Sequence, residues 1–334
     1  MFNRKRGLSG CAALIMAAML VACGGNRTGD GISPEKQSAA SAKQAESEQQ
    51  ATAGSVPTVR TVKHKMGETN VPASPQRVVA DQYMGHLMAL GIKPVGVRTA
   101  LLESYHLKDR LAGIADAGAP FMNVEKVLDL KPDLIVSQNE KGYEDMSKIA
   151  PTIVFPYGQT NAMEQLRILG DAVGKRTEAD RWIAAYEEKA KQYRQQLNGI
   201  IKPGETVSIV EVWAKTIYVY GNNWGRGGYS LYNSLQLKPP LRVINEVIDK
   251  EKYAEISMEL LPEYAGDYIF LTVYGANGGS ERAEEIKKSA IWRNLPAVKN
   301  NRVIPLDIAV MFDGDPISIE KQMDLQVKSL LSFK

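Results

Sequence analysis

Aromatic rings, an arginine and several glycines are gathered in one short stretch, Tyr218-Val-Tyr220-Gly-Asn-Asn-Trp224-Gly-Arg226-Gly-Gly. Those residue types suit the gripping of a ligand. Glycines let a backbone approach a bound molecule, an indole offers a broad apolar face, and a guanidinium donates to anionic oxygens. Tyr218, Trp224 and Arg226 are the leading candidates for contact. Tyr218 and Tyr220 stand as alternatives for one position, exchanged by a one-residue shift of the strand. Secondary candidates follow expected strands or sit in a late loop: Tyr157, Trp213, Tyr274, Gln82, Tyr83 and Phe312.

Groups able to carry catalysis or ligate a metal are not gathered anywhere. His64, His86 and His106 are scattered, without carboxylates at metal-ligand spacing. No nucleophile elbow, HExxH or paired-acid motif occurs. Neither an enzyme nor a resident cofactor or metal is expected. Gly170 to Thr177 imitates a phosphate-binding loop. The Walker pattern needs four residues between its glycines and Ser or Thr directly after Lys. Here three residues separate Gly170 from Gly174, and Arg176 follows Lys175. A helix junction is the expectation.

These candidates need elements to position them, and the longest helical pattern in the chain divides it. From Thr177, the apolar residues Ala179, Trp182, Ile183, Tyr186, Ala190, Tyr193 and Leu197 recur every three or four positions, which makes a one-faced helix. Thr177 is its expected N-cap, and Gly199 and Pro203 stop it. Asn161 with Glu164 opens a shorter helix that breaks at Gly174. On either side, short β-like runs alternate with helical patterns, which argues for α/β lobes with mostly parallel sheets. The expected strands are 78–80, 95–97, 134–136 and 153–155 in the first lobe, and 207–213, 217–220, 268–273 and 303–305 in the second.

The two lobes also share a pattern. Asn123-Val-Glu125, leading to Asp133 and Ile135, aligns without a gap on Ser257-Met-Glu259, leading to Asp267 and Ile269. In each copy a capping residue opens a short helix, Glu lies two later, and Asp precedes an apolar strand. A duplicated architecture follows.

Residues 1–22 read as a secretory signal, with Arg4-Lys5-Arg6 before a short apolar core. Leu20-Val-Ala-Cys23-Gly24 resembles the bacterial lipoprotein box, so Cys23 is the expected lipidated residue, carrying palmitate. With Cys11 removed, Cys23 alone remains and no intrachain disulfide can form. Residues 23–58 are poor in apolar and aromatic types and read as a flexible tether. The expected division is 59–159 for the first lobe, 160–200 for the helix pair and 201–334 for the second lobe. Lys and Arg number 41 and Asp and Glu 38; without Arg4, Lys5 and Arg6 the two signs balance. No basic run supports nucleic-acid binding.

Residues 77–97, the run Val127 to Val136 and the Tyr218–Tyr232 stretch together resemble the iron-siderophore and vitamin B12 class of substrate-binding proteins of ABC importers. The Tyr-x5-Trp-x-Arg spacing is similar to that of hydroxamate-siderophore lipoproteins of Gram-positive bacteria. The resemblance implies two Rossmann-like lobes joined by a single long connecting helix, the class III periplasmic-binding-protein type, with a ligand in the cleft between lobes. It implies a ferric siderophore as ligand, ABC permease subunits as partners docked through Glu125 and Glu259, and a monomer lipid-anchored on the extracellular face of the cell membrane. One arginine among aromatics and amides favours a near-neutral ferric hydroxamate over a triscatecholate complex, whose burial would call for several cations. Cobalamin, haem and a catecholate siderophore are the alternatives of the same class.

Overall fold

Strands that run through the middle of a parallel sheet are buried on both faces and read as unbroken apolar runs. In the computed structural model, which describes residues 58–333, two sheets are built around such runs. The expected signal segment, Cys23 and nearly all of the tether lie outside the described residues. The chain opens with an antiparallel hairpin of β1 (Val59–His64) and β2 (Gly67–Pro72). Its Lys65 amide donates to the Val154 carbonyl at 3.0 Å, which covers one edge of the first sheet.

That first sheet is formed by β3 (Val78–Ala80), β4 (Gly96–Val97), β5 (Ala115–Asp116), β6 (Leu134–Ser137) and β7 (Thr152–Val154). Its order is β5-β4-β3-β6-β7 and every pair is parallel. Helices α1 (Met84–Ala89), α2 (Val124–Asp129) and α3 (Tyr143–Ser147) make the connections with two 3₁₀ segments, Thr99–Glu103 and Tyr105–Arg110.

Next come α4 (Ala162–Ala172) and α5 (Arg176–Leu197). Asn161 caps α4, its side chain accepting from the amides of Met163 and Glu164. Helix α5 starts at Arg176, one residue before the expected cap, and Thr177 lies inside the first turn. Arg176 holds that turn instead, through Asp180 at 2.9 Å and Asp171 at 2.6 Å. The buried face of α5, Ala179, Ile183, Tyr186, Ala190 and Leu197, is the face that the periodicity marks.

The second sheet contains β8 (Val207–Val212), β9 (Ile217–Tyr220), β10 (Ala254–Ile256), β11 (Tyr268–Val273) and β12 (Val303–Pro305), in the order β10-β9-β8-β11-β12. Here β9 is antiparallel to both neighbours. Four residues join it to β8, with Trp213 donating to the Thr216 carbonyl at 2.9 Å, and so short a link cannot make a parallel crossover. A π-helical turn, Tyr229–Ser234, follows β9. The remaining helices are α6 (Leu241–Val243), α7 (Leu261–Tyr264), α8 (Gly279–Lys288), α9 (Ala290–Asn294), α10 (Pro296–Lys299), α11 (Ile308–Met311) and α12 (Pro316–Leu331). None of the described helices is long and apolar enough to cross a membrane.

The repeated Asp has the same task in each lobe. Asp133 accepts the amides of Gln76 (2.7 Å) and Arg77 (2.9 Å) just before β3, and Asp267 accepts the Thr206 amide (2.8 Å) just before β8. Each carboxylate therefore ties the start of its own strand to the start of its parallel neighbour. The cap is not repeated. Asn123 accepts the Lys126 amide at 3.0 Å, whereas the Ser257 side chain caps no amide.

Helix α12 carries the chain back across the junction. It packs on α1, α4 and α5 as well as on the π-helical turn. One continuous apolar core runs from Val78 and Leu134 of the first sheet through Leu166, Ile183 and Met323 to Ile209 and Phe270 of the second. Polar links add to it: Ser104 donates to Asp313 at 2.7 Å, and His106 Nε2 lies 2.8 Å from the Val310 carbonyl. The single long helix α5 joins the lobes in the chain, as expected for the class III type, and α12 packs across the same junction.

Candidate ligand site

The centre of the site is a residue that sequence reasoning passed over. Glu211 sits in β8 with its side chain fully buried. Its Oε1 accepts from Trp213 Nε1 (2.6 Å), Tyr220 OH (3.3 Å) and Arg226 Nη2 (3.3 Å). Its Oε2 accepts from Arg226 Nε (2.9 Å) and Thr272 Oγ1 (3.2 Å). A carboxylate in an apolar sheet is tolerated when its lone pairs are filled in this way. The available signal was a lone acid inside Val-Ser-Ile-Val-Glu-Val, a run otherwise suited to a buried strand.

Arg226 is thereby fixed with its side chain 10 % exposed. Its guanidinium lies between the rings of Tyr220 (4.8 Å) and Phe312 (4.2 Å). Trp224 and Arg226 have φ of 70° and 58°, in the left-handed region that costs side-chain-bearing residues roughly 1–2 kcal/mol each. Tertiary contacts hold them there. Gln326 from α12 donates to the Gly227 carbonyl at 3.0 Å, so close that a Cβ on Gly227 would lie 2.1 Å from its amide nitrogen. Trp224 Nε1 donates to the Glu251 carbonyl at 3.0 Å, and its ring lies against Gly158, where a Cβ would come within 2.8 Å. Trp224 thus reaches from the second lobe to the first, edge-on to Tyr157 at 6.0 Å.

Tyr218 and Tyr220 turn out not to be alternatives. Residues two apart on a strand share a face. Their rings lie 6.3 Å from each other, and both meet Tyr253, at 5.6 and 5.8 Å. Trp213 stacks on Tyr274 at 4.1 Å and meets Tyr218 edge-on at 5.7 Å. Trp213, Tyr218, Tyr253, Trp224 and Phe312 together make an aromatic wall. Tyr253, 45 % exposed, was not foreseen because Lys250-Glu-Lys-Tyr253 reads as a solvated loop.

From the first lobe, Tyr157 belongs to this assembly. Burial, then the nearby Asp315 and Asp313, push its phenol up to about 12, so it stays a hydrogen-bond donor. Gln82 accepts from Arg98 Nη2 at 3.2 Å, which brings in a second arginine that the sequence did not flag. Tyr83 is 1 % exposed, and its hydroxyl donates to the Phe155 carbonyl at 2.6 Å. It forms floor, with no hydroxyl left to offer. Narrow spaces at the lobe junction are bounded by Tyr83, Tyr157, Gly158, Asn222, Asn223 and Gly314.

Beneath that floor, His86 is buried without a partner on either ring nitrogen among the described residues. Burial drives its pKa down to about 3 from an ordinary 6.5. A value depressed on folding means stability that is complete above pH 6.5 and lost as pH falls toward 3. We expect one proton's worth of slope, about 1.4 kcal/mol per pH unit, over that window. His86→Leu should flatten it, as urea midpoints at pH 7, 5 and 4 will show. An unaltered slope would place the acid sensitivity elsewhere.

Residues 78–309 match the family described as periplasmic binding protein. The chain is 38 % identical over 275 residues to the iron(3+)-hydroxamate-binding protein YxeB of Bacillus subtilis, covering 82 % of this chain and 85 % of that one. Among solved structures it is similar to the FhuD protein from S. pseudintermedius, at 33 % identity, TM-score 0.73, and coverage of 83 % of this chain and 99 % of the other. It is also similar to FhuD2 from Staphylococcus aureus with bound ferrioxamine B, at 30 % identity, TM-score 0.69, and coverage of 78 % and 99 %.

Proposed function

The chain belongs to the periplasmic binding protein family, and from that premise we propose that it binds a ferric siderophore of the hydroxamate type and delivers it to an ABC importer for iron uptake. It is a binding protein and not an enzyme. The observation that carries the choice of ligand is the Arg226–Glu211 pair inside an aromatic wall. The one arginine of the loop is already neutralised, so the wall presents no net positive charge to a ligand. A near-neutral ferric hydroxamate is buried there at little electrostatic cost, whereas a complex with about three negative charges is not. Both indole N–H groups are engaged, with Glu211 and with the Glu251 carbonyl, so Trp213 and Trp224 offer faces. The hydroxyls of Tyr218, Tyr253 and Tyr274 have no partner among the described residues and are left to donate to hydroxamate oxygens. The iron stays ligated by the siderophore.

Around this core we place the rest of the working protein. Cys23 carries the lipid that holds a monomer on the outer face of the cell membrane, the rest of the tether 23–58 gives it reach, and Glu125 and Glu259 meet the two permease subunits. Tryptophan fluorescence during titration tests the ligand. Saturable quenching by a ferric hydroxamate and none by a ferric triscatecholate is the expected result. Quenching by the catecholate alone overturns the charge argument, and a response only to cobalamin or haem overturns the siderophore reading.

A further inference from the structure

The Asp-to-strand step repeated in each lobe also aligns the strands that lead to the site. Val78 pairs with Leu134 in the first sheet as Val207 pairs with Tyr268 in the second, so Gln82 falls where Glu211 falls. Both stand toward the carboxyl ends of their sheets, where an α/β lobe holds its ligand. An arginine is folded onto each place through the same two nitrogens. Arg226 donates to Glu211 through Nε and Nη2. Arg98, directly after β4, donates through Nε to the Asp81 carbonyl at 3.0 Å and through Nη2 to Gln82 Oε1 at 3.2 Å.

The two arginines differ in what balances them. Glu211 answers the charge of Arg226, whereas a peptide carbonyl and an amide oxygen leave the charge of Arg98 in place. Arg98 forms no ion pair among the described residues. The acid near it is Asp81, whose side chain is 3 % exposed and turned toward β6. Its oxygens are filled there by Ser137 Oγ (2.7 Å), the Gln138 amide (2.7 Å) and Asn139 Nδ2 (3.0 Å). Arg98 itself is half-buried, and two of its five N–H groups are taken. Its surroundings place it on the first lobe's side of the cleft. Tyr83, next after Gln82, bounds the space at the lobe junction. The 3₁₀ segment that begins at Thr99 leads to Ser104, which bonds Asp313 beside the Phe312 ring that covers Arg226.

We propose that Arg98 is the ligand-binding cation of the first lobe, and that it selects ferric hydroxamates carrying a carboxylate over those that carry none or carry an amine. The inference rests on the hydroxamate reading and narrows it. The body of the complex lies on the neutral wall of the second lobe, and a single anionic group meets the guanidinium that no ion pair answers. A fork of N–H groups holds a carboxylate by charge-assisted hydrogen bonds, roughly twice as strong as neutral ones, which sets the direction of the choice. One carboxylate against one guanidinium keeps the cost of burial low, as several unanswered charges would not.

A linear ferric trihydroxamate with a terminal amine supplies the probes, since that amine can be left free, acetylated or succinylated without touching the iron centre. Affinities from tryptophan quenching of the full chain should rise in the order free amine, acetyl, succinyl. In low salt the succinyl form should bind at least about tenfold more tightly than the acetyl form, with the gap narrowing as salt is added. Arg98→Gln should cut that preference to less than about threefold, chiefly through lost affinity for the succinyl form. Arg98→Lys keeps the charge without the fork, so it should keep the order with a smaller gap. Equal affinities for the succinyl and acetyl forms in the wild type, or a preference that survives Arg98→Gln, overturn the proposal and leave the hydroxamate reading standing. Equal loss of all three complexes in Arg98→Gln would make Arg98 a fastener of the strand end and overturn its part in selection. Quenching by none of the three overturns the hydroxamate reading and the proposal with it. The wild-type comparison needs no variant, so the proposal can fail even where Arg98→Gln does not fold.

Discussion

Glu211→Ala is expected to abolish ligand-induced quenching and to destabilise the protein by about 3–5 kcal/mol, the range for breaking a buried ion pair by removing one partner. Five donor groups lose their acceptor at once, from Trp213, Tyr220, Arg226 and Thr272. The Arg226 guanidinium is the costly one, because its side chain is only 10 % exposed and cannot recover hydration without leaving Tyr220 and Phe312. If it leaves, the left-handed run that seats Trp224 loses one of its restraints. Glu211→Gln separates the two effects. It keeps the shape and some of the hydrogen bonds, so it should fold while leaving the guanidinium charge unbalanced. Adding Arg226→Met to Glu211→Gln should recover most of the stability without recovering binding, since a buried ion pair is replaceable by packing but its geometry is not. Urea unfolding and quenching titrations on the three variants check this. Full affinity in Glu211→Ala would mean that the carboxylate does not set the site.

The second large effect concerns delivery. Glu125→Arg combined with Glu259→Arg should abolish uptake of a ferric hydroxamate while ligand affinity and stability stay as in the parent. Both side chains are exposed in first turns of short helical segments, so the fold has little stake in them and the stability change should fall within about 0.5 kcal/mol. At a docking face, like-charge juxtaposition costs several kcal/mol, and two contacts on separate lobes also set the register of the whole body. Each single reversal should therefore impair uptake and the pair should eliminate it. Uptake by intact cells and quenching by purified protein are the two readouts. Quenching lost along with uptake would mean that these residues support the ligand site instead.

Much of this organisation is legible in the residues. Strands 217–220, 268–273 and 303–305 lie where their apolar runs end, because such runs are bounded by turn residues that compete locally with a strand. The face of α5 follows from its period. The hairpin of β1 and β2 escaped because Val-Arg-Thr-Val-Lys-His alternates weakly and only Val62 of β1 is buried. It gains its place by covering an edge strand, a contact that no short window contains. The direction of β9 also escaped, although the four-residue link before it could have revealed it.

The sequence by itself determined most of the central strands and long helices, their order, the Asp-to-strand step repeated in each lobe and the residue types able to grip an uncharged, bulky ligand. Local hydrogen bonding, side-chain period and backbone preference act over a few positions, so a linear reading reaches them. Which of those residues work together was decided only in three dimensions. Glu211 meets Thr272 across 61 positions and Gln326 meets Gly227 across 99, through sheet register and helix packing. Tyr253 joins Tyr218 and Tyr220 because β10 pairs with β9. Burial turned the chain's most obvious cation into half of a neutral pair, and the charge presented to a ligand depends on that distant carboxylate as much as on the arginine itself.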